Sequence, residues 1–424
     1  MSKLAVIICN YNKEDYIVNC IKSVRKSSFR NLDLYVVDNA SMDNSVEMIN
    51  KNFKNEINLI INKENLGGSG GFNTGLKEVI DKGYDYIMLL DNDVILHEDA
   101  ISELVKFLEN NKEYGMVGSL ILSIDNPDVI QELGADIDFQ NYTINPFFKG
   151  GNKEGAPELI ECDYVPACSL IVRGEALKKV GLMNEENFIY WDDIEWGYKF
   201  KLNGYKVGAY SKSIVWHKMG AATKENTFAT YYFWRNRIKF FLNYLEESKV
   251  QDFCRKIFNN VFNAIFMCNY QGKYSQAITI MEAIEDALNG ELGKGKSARI
   301  KKIEKLDDKL KQILESINIV NVVNKTGSLE DINKVNNLLK QYNINNVNNN
   351  LPDRKFEVYR HILDVENFDE NVIYIDGFFN IAYTKDDKIK LESKNSVYEL
   401  AQNIYYPFLL NKAYEYIESR KMNE

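Results

Sequence analysis

Residues 84–93 read YDYIMLLDND, an apolar run that breaks into two carboxylates two positions apart, Asp91 and Asp93. Upstream, LAVIIC (4–9), LDLYVVDNAS (32–41) and INLIIN (57–62) have the same form: short, rich in β-branched residues and turning polar at the end. Continuous apolar runs suit strands buried on both faces of a parallel sheet. Between them lie segments with helix signals, at about 16–26, from Ser41 to about Phe53, and from the glycine-rich NLGGSGGFNTG (65–75) to about Ile80. Strand alternating with helix indicates a doubly wound α/β sheet. Ligands in such sheets bind beyond the carboxyl ends of the strands. Asp38, Asp91 and Asp93 fall at such ends.

Further out the pattern changes. YVPACSLIVRGEAL (164–177) reads as a strand and a helix start, FIYWDDIEWGYKFKLNGYKVGAY (188–210) as loop, helix and strand, and SIVWHKMG closes the region. The expected divisions are a Rossmann-like domain over 1–225, a helical extension over 226–317, an asparagine-rich linker over 318–350 and a small α/β unit over 351–424. The extension contains the aromatic and basic YYFWRNRIKFF. It also contains a basic helix over 294–312, with Ile303, Leu306, Leu310, Ile313 and Ile317 at helical spacing. The last unit is expected to hold a hairpin within VIYIDGFFNIAYTKDDKIKLES, then a helix.

The bulk numbers narrow the function classes. The chain has 424 residues, 45% of them hydrophobic, and a net charge of −9. Residues 1–220 carry 23 Lys+Arg against 33 Asp+Glu, a net −10, which argues against nucleic acid as a partner. The six cysteines form no CxxC pair and read as free thiols of a reducing compartment. LAVIIC turns polar too soon for a signal peptide, and no stretch approaches the ~20 apolar residues of a spanning helix. The expectation is a cytoplasmic protein. Its C-terminal half offers a surface for a second copy or for peripheral contact at the inner face of a membrane.

Four motifs carry chemistry. Asp91 and Asp93, leaving a buried strand, can both reach a hard divalent cation, Mn²⁺ or Mg²⁺; the alternative is a capped turn. Trp191-Asp192-Asp193-Ile194-Glu195-Trp196 sets three carboxylates between aromatics. Acid at a helix start is ordinary, but partial burial would make one of them a general base. His217, one of three histidines, follows a strand expectation and can return to the acids as a metal ligand; a packed histidine is the plainer reading. NLGGSGGF lets a ligand approach backbone closely, yet lacks the spacing and position of a dinucleotide loop.

In order and spacing, LAVIICNYN, VDNASMDNS, NLGGSGGFNTG, LLDND, FIYWDDIEWGYK and VWHKMG resemble the family-2 glycosyltransferases of the GT-A fold, over about residues 3–245. YYFWRNRIKFF and EAIEDALNGELGKGK resemble segments of bacterial rhamnosyl- and galactofuranosyltransferases. The resemblance implies an inverting transfer from a UDP- or dTDP-linked sugar to a glycan or lipid-linked acceptor in cell-surface polysaccharide synthesis. The alternatives are an inactive nucleotide-sugar-binding subunit and, less well matched, a nucleotidyltransferase. Carried over by position, Asn10, Tyr11, Asn12, Asp38, Asn65, Gly67, Gly68 and Asp91 would bind donor. Asp91, Asp93 and His217 would hold metal. Asp193 would be the base, with Asp192 as its rival, and Trp191 and Glu195 would meet the acceptor. The family's frequent Glu-Asp pair is here Asp192-Asp193, one methylene shorter.

Overall fold

The computed structural model describes residues 2–54, 56–218, 226–303, 308–346, 354–369, 371–382 and 385–423. The division expected at 225/226 and the Met219-Gly220 end of VWHKMG lie outside them. The chain forms two units, one of Met1–Thr223, Tyr232–Glu246 and Gly290–Lys296, the other of Lys224–Tyr231, Glu247–Asn289 and Ser297–Glu424.

The first unit starts with β1 (Leu4–Asn10), α1 (Glu14–Arg25), β2 (Leu32–Asp38), α2 (Ser45–Phe53), β3 (Asn58–Ile61), α3 (Gly67–Val79) and β4 (Tyr86–Asp91). It continues with β5 (Val94–Leu96), α4 (Ala100–Asn110), β6 (Tyr114–Ser123), β7 (Ile130–Glu132), β8 (Ala135–Asp138), β9 (Thr143–Pro146), β10 (Leu159–Cys162), β11 (Ser169–Arg173), α5 (Gly174–Val180), α6 (Asp192–Leu202) and β12 (Lys206–His217). Helix α7 (Phe228–Tyr244) belongs to this unit from Tyr232 onward. The sheet order is β10-β12-β6-β11-β4-β1-β2-β3, with β1 to β4 parallel as the apolar runs imply.

Alternation along β1 builds two cores. Leu4, Val6 and Ile8 pack with Ile17, Ile21 and Val24 of α1, while Ala5 and Ile7 pack with Phe72, Leu76 and Val79 of α3. Each buried aliphatic side chain contributes about 1.5–3 kcal/mol, and a one-residue slip would turn all of them outward. Helix α3 is intrinsically weak, since glycine in a helix costs about 0.5–1 kcal/mol against alanine. It forms because it must lie close to β1: a Cβ at Gly71 would collide with Cys9 Sγ. The chain leaves β1 for β2 on one side and returns through β4 on the other, so the crevice at their carboxyl ends is the topological switch point. There Cys9 pairs with Asp91 and Asn10 with Asp38.

The second unit corrects several expectations. After α8 (Val250–Tyr270), α9 (Tyr274–Leu288) and α10 (Asp308–Ser316), the asparagine-rich stretch forms β13 (Ile319–Asn324), α11 (Leu329–Gln341) and β14 (Asn345–Asn346). They join β15 (Arg354–Tyr359), β16 (Val372–Asp376) and β17 (Ile381–Ala382) in one sheet, β14-β13-β15-β16-β17. Residues 318–346 are therefore part of the same sheet unit as residues 354–382, rather than a linker before it. Asn333, Asn337 and Asn345 face solvent while Val320, Val335, Leu338 and Leu339 are buried. The hairpin exists, with Ile381–Ala382 in its second arm, and α12 (Lys385–Asn423) covers KDDKIKLES, where a strand was expected.

The basic helix over 294–312 is not continuous. A single turn covers Ser297–Arg299, residues 300–303 are not helical and α10 covers Asp308–Ser316, with Leu306 outside the described residues. Arg299 is engaged by Asp286 at 2.7 Å and Glu285 at 3.1 Å. In α7, Arg235, Arg237 and Lys239 are buried rather than turned to lipid. Among the described residues no helix is long and apolar enough to cross a membrane.

Candidate active site

The carboxyl ends of β1 and β2 are laced together. Asn10 Nδ2 donates to Asp38 Oδ1 at 2.8 Å, the Ser41 backbone N–H donates to Asp38 Oδ2 at 2.9 Å, and Asn92 Nδ2 donates to Asn10 Oδ1 at 2.8 Å. Asn12 closes the same loops, receiving the Met42 N–H at 2.8 Å. Asn10 and Asp38, expected to meet the donor, are 0% and 1% exposed and engaged within the protein. The exposed members are Tyr11 and Asn12.

A second lattice shapes the entry to α3. Asn39, which carries no signal in the sequence, donates to Asn65 Oδ1 at 3.1 Å and to the Gly67 carbonyl at 2.9 Å, and accepts from the Leu66 N–H at 3.1 Å. Gly67 has φ +77°, and a Cβ there would collide with the Phe188 carbonyl. A Cβ at Gly68 would stand 3.3 Å from Asp192 Oδ2. The glycines thus let α3 abut the loop before α6.

The two acids after β4 do different things. Asp93 receives Lys13 Nζ at 2.9 Å and lies 3.1 Å from His217 Nε2. Although burial opposes its charge, these two neighbours hold its carboxyl below the usual range. Asp91 is pushed the other way, by burial and by the charge of Asp93. Burial works against a charge on His217, but the Asp93 hydrogen bond and both carboxylates raise it. Among the described residues the ligand atoms of Asp91, Cys168 and His217 lie within 4.8 Å of one another, while Asp93 of the expected set meets His217 at 3.1 Å. Asp93 touches that group through the histidine. Cys168, a packed thiol by its sequence, is kept protonated by burial and by the charges of Asp91 and Asp93, and a thiol is a weak ligand.

Across α3 lies the second acidic motif. Asp193 is half-buried, its Oδ1 accepting from the Ile194 N–H at 2.9 Å and its Oδ2 from the Ala167 N–H at 3.2 Å. Burial raises its pKa to about 6 against the pull of those two donors. Asp192 is more deeply buried, and desolvation with the Asp193 charge lifts it well above the carboxylate range.

The two residues expected at the acceptor are not available to one. Trp191 is 2% exposed and packs on Phe233, Phe240 and Phe241. Glu195 is 4% exposed and receives Asn187 Nδ2 at 2.6 Å, Tyr244 OH at 2.9 Å and both bonds of Asn184 Nδ2. It ties the loop to α6 and α7.

That loop is strained: Phe188, Tyr190 and Trp191 have φ of +65°, +60° and +65°, a cost of order 1–3 kcal/mol each for such residues. Helix α7 holds it. Asn236 Nδ2 lies 2.8, 2.9 and 2.8 Å from the carbonyls of Asn187, Ile189 and Tyr190. Arg235 donates to the carbonyls of Glu186, Asn187 and Gly293.

Residues 5–173 match the family model "Glycosyl transferase family 2". This part of the chain is a family-2 glycosyltransferase domain. An uncharacterized glycosyltransferase of Haemophilus influenzae is 25% identical over 224 residues, 51% of this chain and 65% of its own length. Another, from Rickettsia conorii, is 32% identical over 26% of this chain and 18% of its own length. The chain thus spans less than two thirds of either. The low-salt glycan biosynthesis hexosyltransferase Agl10 of Haloferax volcanii is 22% identical over 56% of this chain and 75% of its own. The glycosyltransferase domain has the α/β architecture expected, a sheet with helices between its strands, followed by a part rich in helix. Both acidic motifs lie in its unit, although the second falls beyond residue 173.

Proposed function

We propose that the first unit transfers a sugar from a nucleotide-sugar donor to a hydroxyl of a glycan or lipid-linked acceptor, with inversion, and that Asp193 is the general base. The observation that carries this reading is the state of Asp193. It is a half-buried carboxylate with a pKa raised to about 6, held in place by two backbone N–H groups and outside the group of converging ligand atoms. A base poised near working pH can accept the acceptor's proton as the new bond forms. Asp192 suits that task less well, because it is more deeply buried and both burial and the Asp193 charge raise its pKa; it faces Gly68 of α3.

The donor side is read from the switch point. Tyr11, Asn12, Asn65 and Gly68 border it, with Asn10, Asp38 and Asn39 fixing their loops from below. Two carboxylates and an imidazole suit Mn²⁺ or Mg²⁺, and Asp91 is a half-buried acid whose charge a divalent ion would offset. When bound, such an ion neutralises charge on the departing diphosphate. Asp91 and His217 would hold it directly and Asp93 would complete or orient the set.

The test is release of nucleoside diphosphate from a panel of UDP- and dTDP-linked sugars with Mn²⁺. Release by the native chain that is lost in Asp93→Ala is expected. No release from any donor, with folding and donor binding intact, would favour the inactive binding subunit instead.

A further inference from the structure

The side chain of Gln131 is used by none of the roles above, yet it touches His217. Its amide nitrogen lies 2.6 Å from His217 Nδ1, while its oxygen is buried with no hydrogen-bond partner among the described residues. The residue is 6% exposed. Strand β7 is irregular at this point: Glu132 pairs with Ile121 and Ile130 with Leu122, so Gln131 is the extra residue of a bulge in the β6–β7 ladder. Bulges redirect a side chain and recur beside active sites. Here the redirected side chain meets the imidazole.

For the neutral imidazole the hydrogen-bond logic of that contact has two states. With the amide nitrogen donating, Nδ1 must be the acceptor and the proton must sit on Nε2, where it faces Asp93 Oδ1 at 3.1 Å. In that state Nε2 has no lone pair to give. An imidazole that coordinates through Nε2 carries its proton on Nδ1 and must donate it. An amide nitrogen cannot accept that proton; an amide oxygen can. A half-turn of the Gln131 amide brings its orphaned oxygen onto Nδ1, and the two orientations occupy nearly the same volume.

We propose that Gln131 is a positioning residue whose amide oxygen accepts the Nδ1 proton of His217, fixing the tautomer in which Nε2 binds a divalent cation. This rests on the reading of His217 as a metal ligand. The orphaned oxygen and the bulge are then two parts of one device. An acidic or carbonyl partner behind a ligating histidine is worth about 10–100-fold in metal affinity.

The experiment is a titration of the full chain with Mn²⁺ alone, following free Mn²⁺ by its paramagnetic resonance signal, with circular dichroism confirming that each variant is folded. Gln131→Met removes the acceptor at similar length and should weaken Mn²⁺ binding by about 10–100-fold. Gln131→Glu restores an acceptor and should bind within a few-fold of the native chain or tighter. Combining Gln131→Met with His217→Ala should be no worse than His217→Ala alone, because the glutamine acts only through the histidine. Near-native binding by Gln131→Met, with binding weakened in His217→Ala, would overturn the proposal and leave the metal reading intact. Native-like binding by His217→Ala, or no binding by the native chain, would overturn the metal reading itself and the proposal with it.

Discussion

The two acidic motifs of the first unit are held in opposite ways. Asp91-Asn92-Asp93 follows a buried strand, and its position comes from the pairing of β4 with β1. Asp192-Asp193 follows three left-handed residues that would not persist alone, and its position comes from Arg235 and Asn236, more than 40 residues later. A site at a strand end is encoded locally. A site on a strained loop is encoded by whatever overrides the strain. The contrast predicts how each motif fails when it is disturbed.

The largest effect is expected at the base. Asp193→Asn keeps the shape of the side chain between its two backbone donors, so binding of the sugar donor should persist while transfer falls by roughly 10²–10⁴. A binding isotherm and a turnover assay on the same preparation check it. The next effect tests the loop's dependence on α7. Asn236→Ala takes the donor from the Ile189 and Tyr190 carbonyls, at about 1–3 kcal/mol for each group left buried and unpaired. The melting temperature should fall, and transfer per folded molecule should fall more than donor affinity does. Equal losses of both would mean that the loop and the strand-end site are not separable in this way.

The strand-end site is legible in the sequence because buried parallel strands read as unbroken apolar runs and their ends as the polar break. That pattern alone places Asp38, Asp91 and Asp93. The features hidden from sequence depend on partners distant along the chain. Glu195 and Trp191 sit in an acidic, aromatic motif that suits an acceptor surface equally well; only Asn184, Asn187 and Tyr244 around the one, and three phenylalanines around the other, reveal packing. Arg235, Arg237 and Lys239 have the cation-and-apolar pattern of a lipid-facing helix, yet their heads meet the Gly293 and Tyr142 carbonyls and Glu186. Cys168 and Gln131 carry no local pattern that sets them beside His217. In the second unit, exposed asparagines mask a buried apolar face, which is why a sheet reads as a linker.

Two smaller effects sharpen the comparison. Transfer should depend on pH through Asp193. Its pKa is raised to about 6, and the base must be deprotonated to act, so the rate should fall about tenfold per pH unit below that midpoint and level off above it. A profile of turnover at saturating donor, repeated in Asp193→Asn, should lose this limb. Smallest is Trp191→Phe. The indole is packed and its Nε1 has no hydrogen-bond partner among the described residues, so the change should lower stability by about 1–2 kcal/mol, a fraction of the ~3–5 kcal/mol of full truncation, and leave transfer within about threefold. A large rise in acceptor KM without a loss of stability would instead return the tryptophan to the acceptor surface.

The central claim is a single displacement in which Asp193 takes the acceptor's proton, and it has one direct readout. Once a donor is found that the chain turns over, the anomeric configuration of the first-formed product can be read by proton resonance from the coupling at the transferred carbon. The account predicts a configuration opposite to that of the donor. A product that keeps the donor's configuration would contradict it, because a lone base opposite the leaving group cannot give retention.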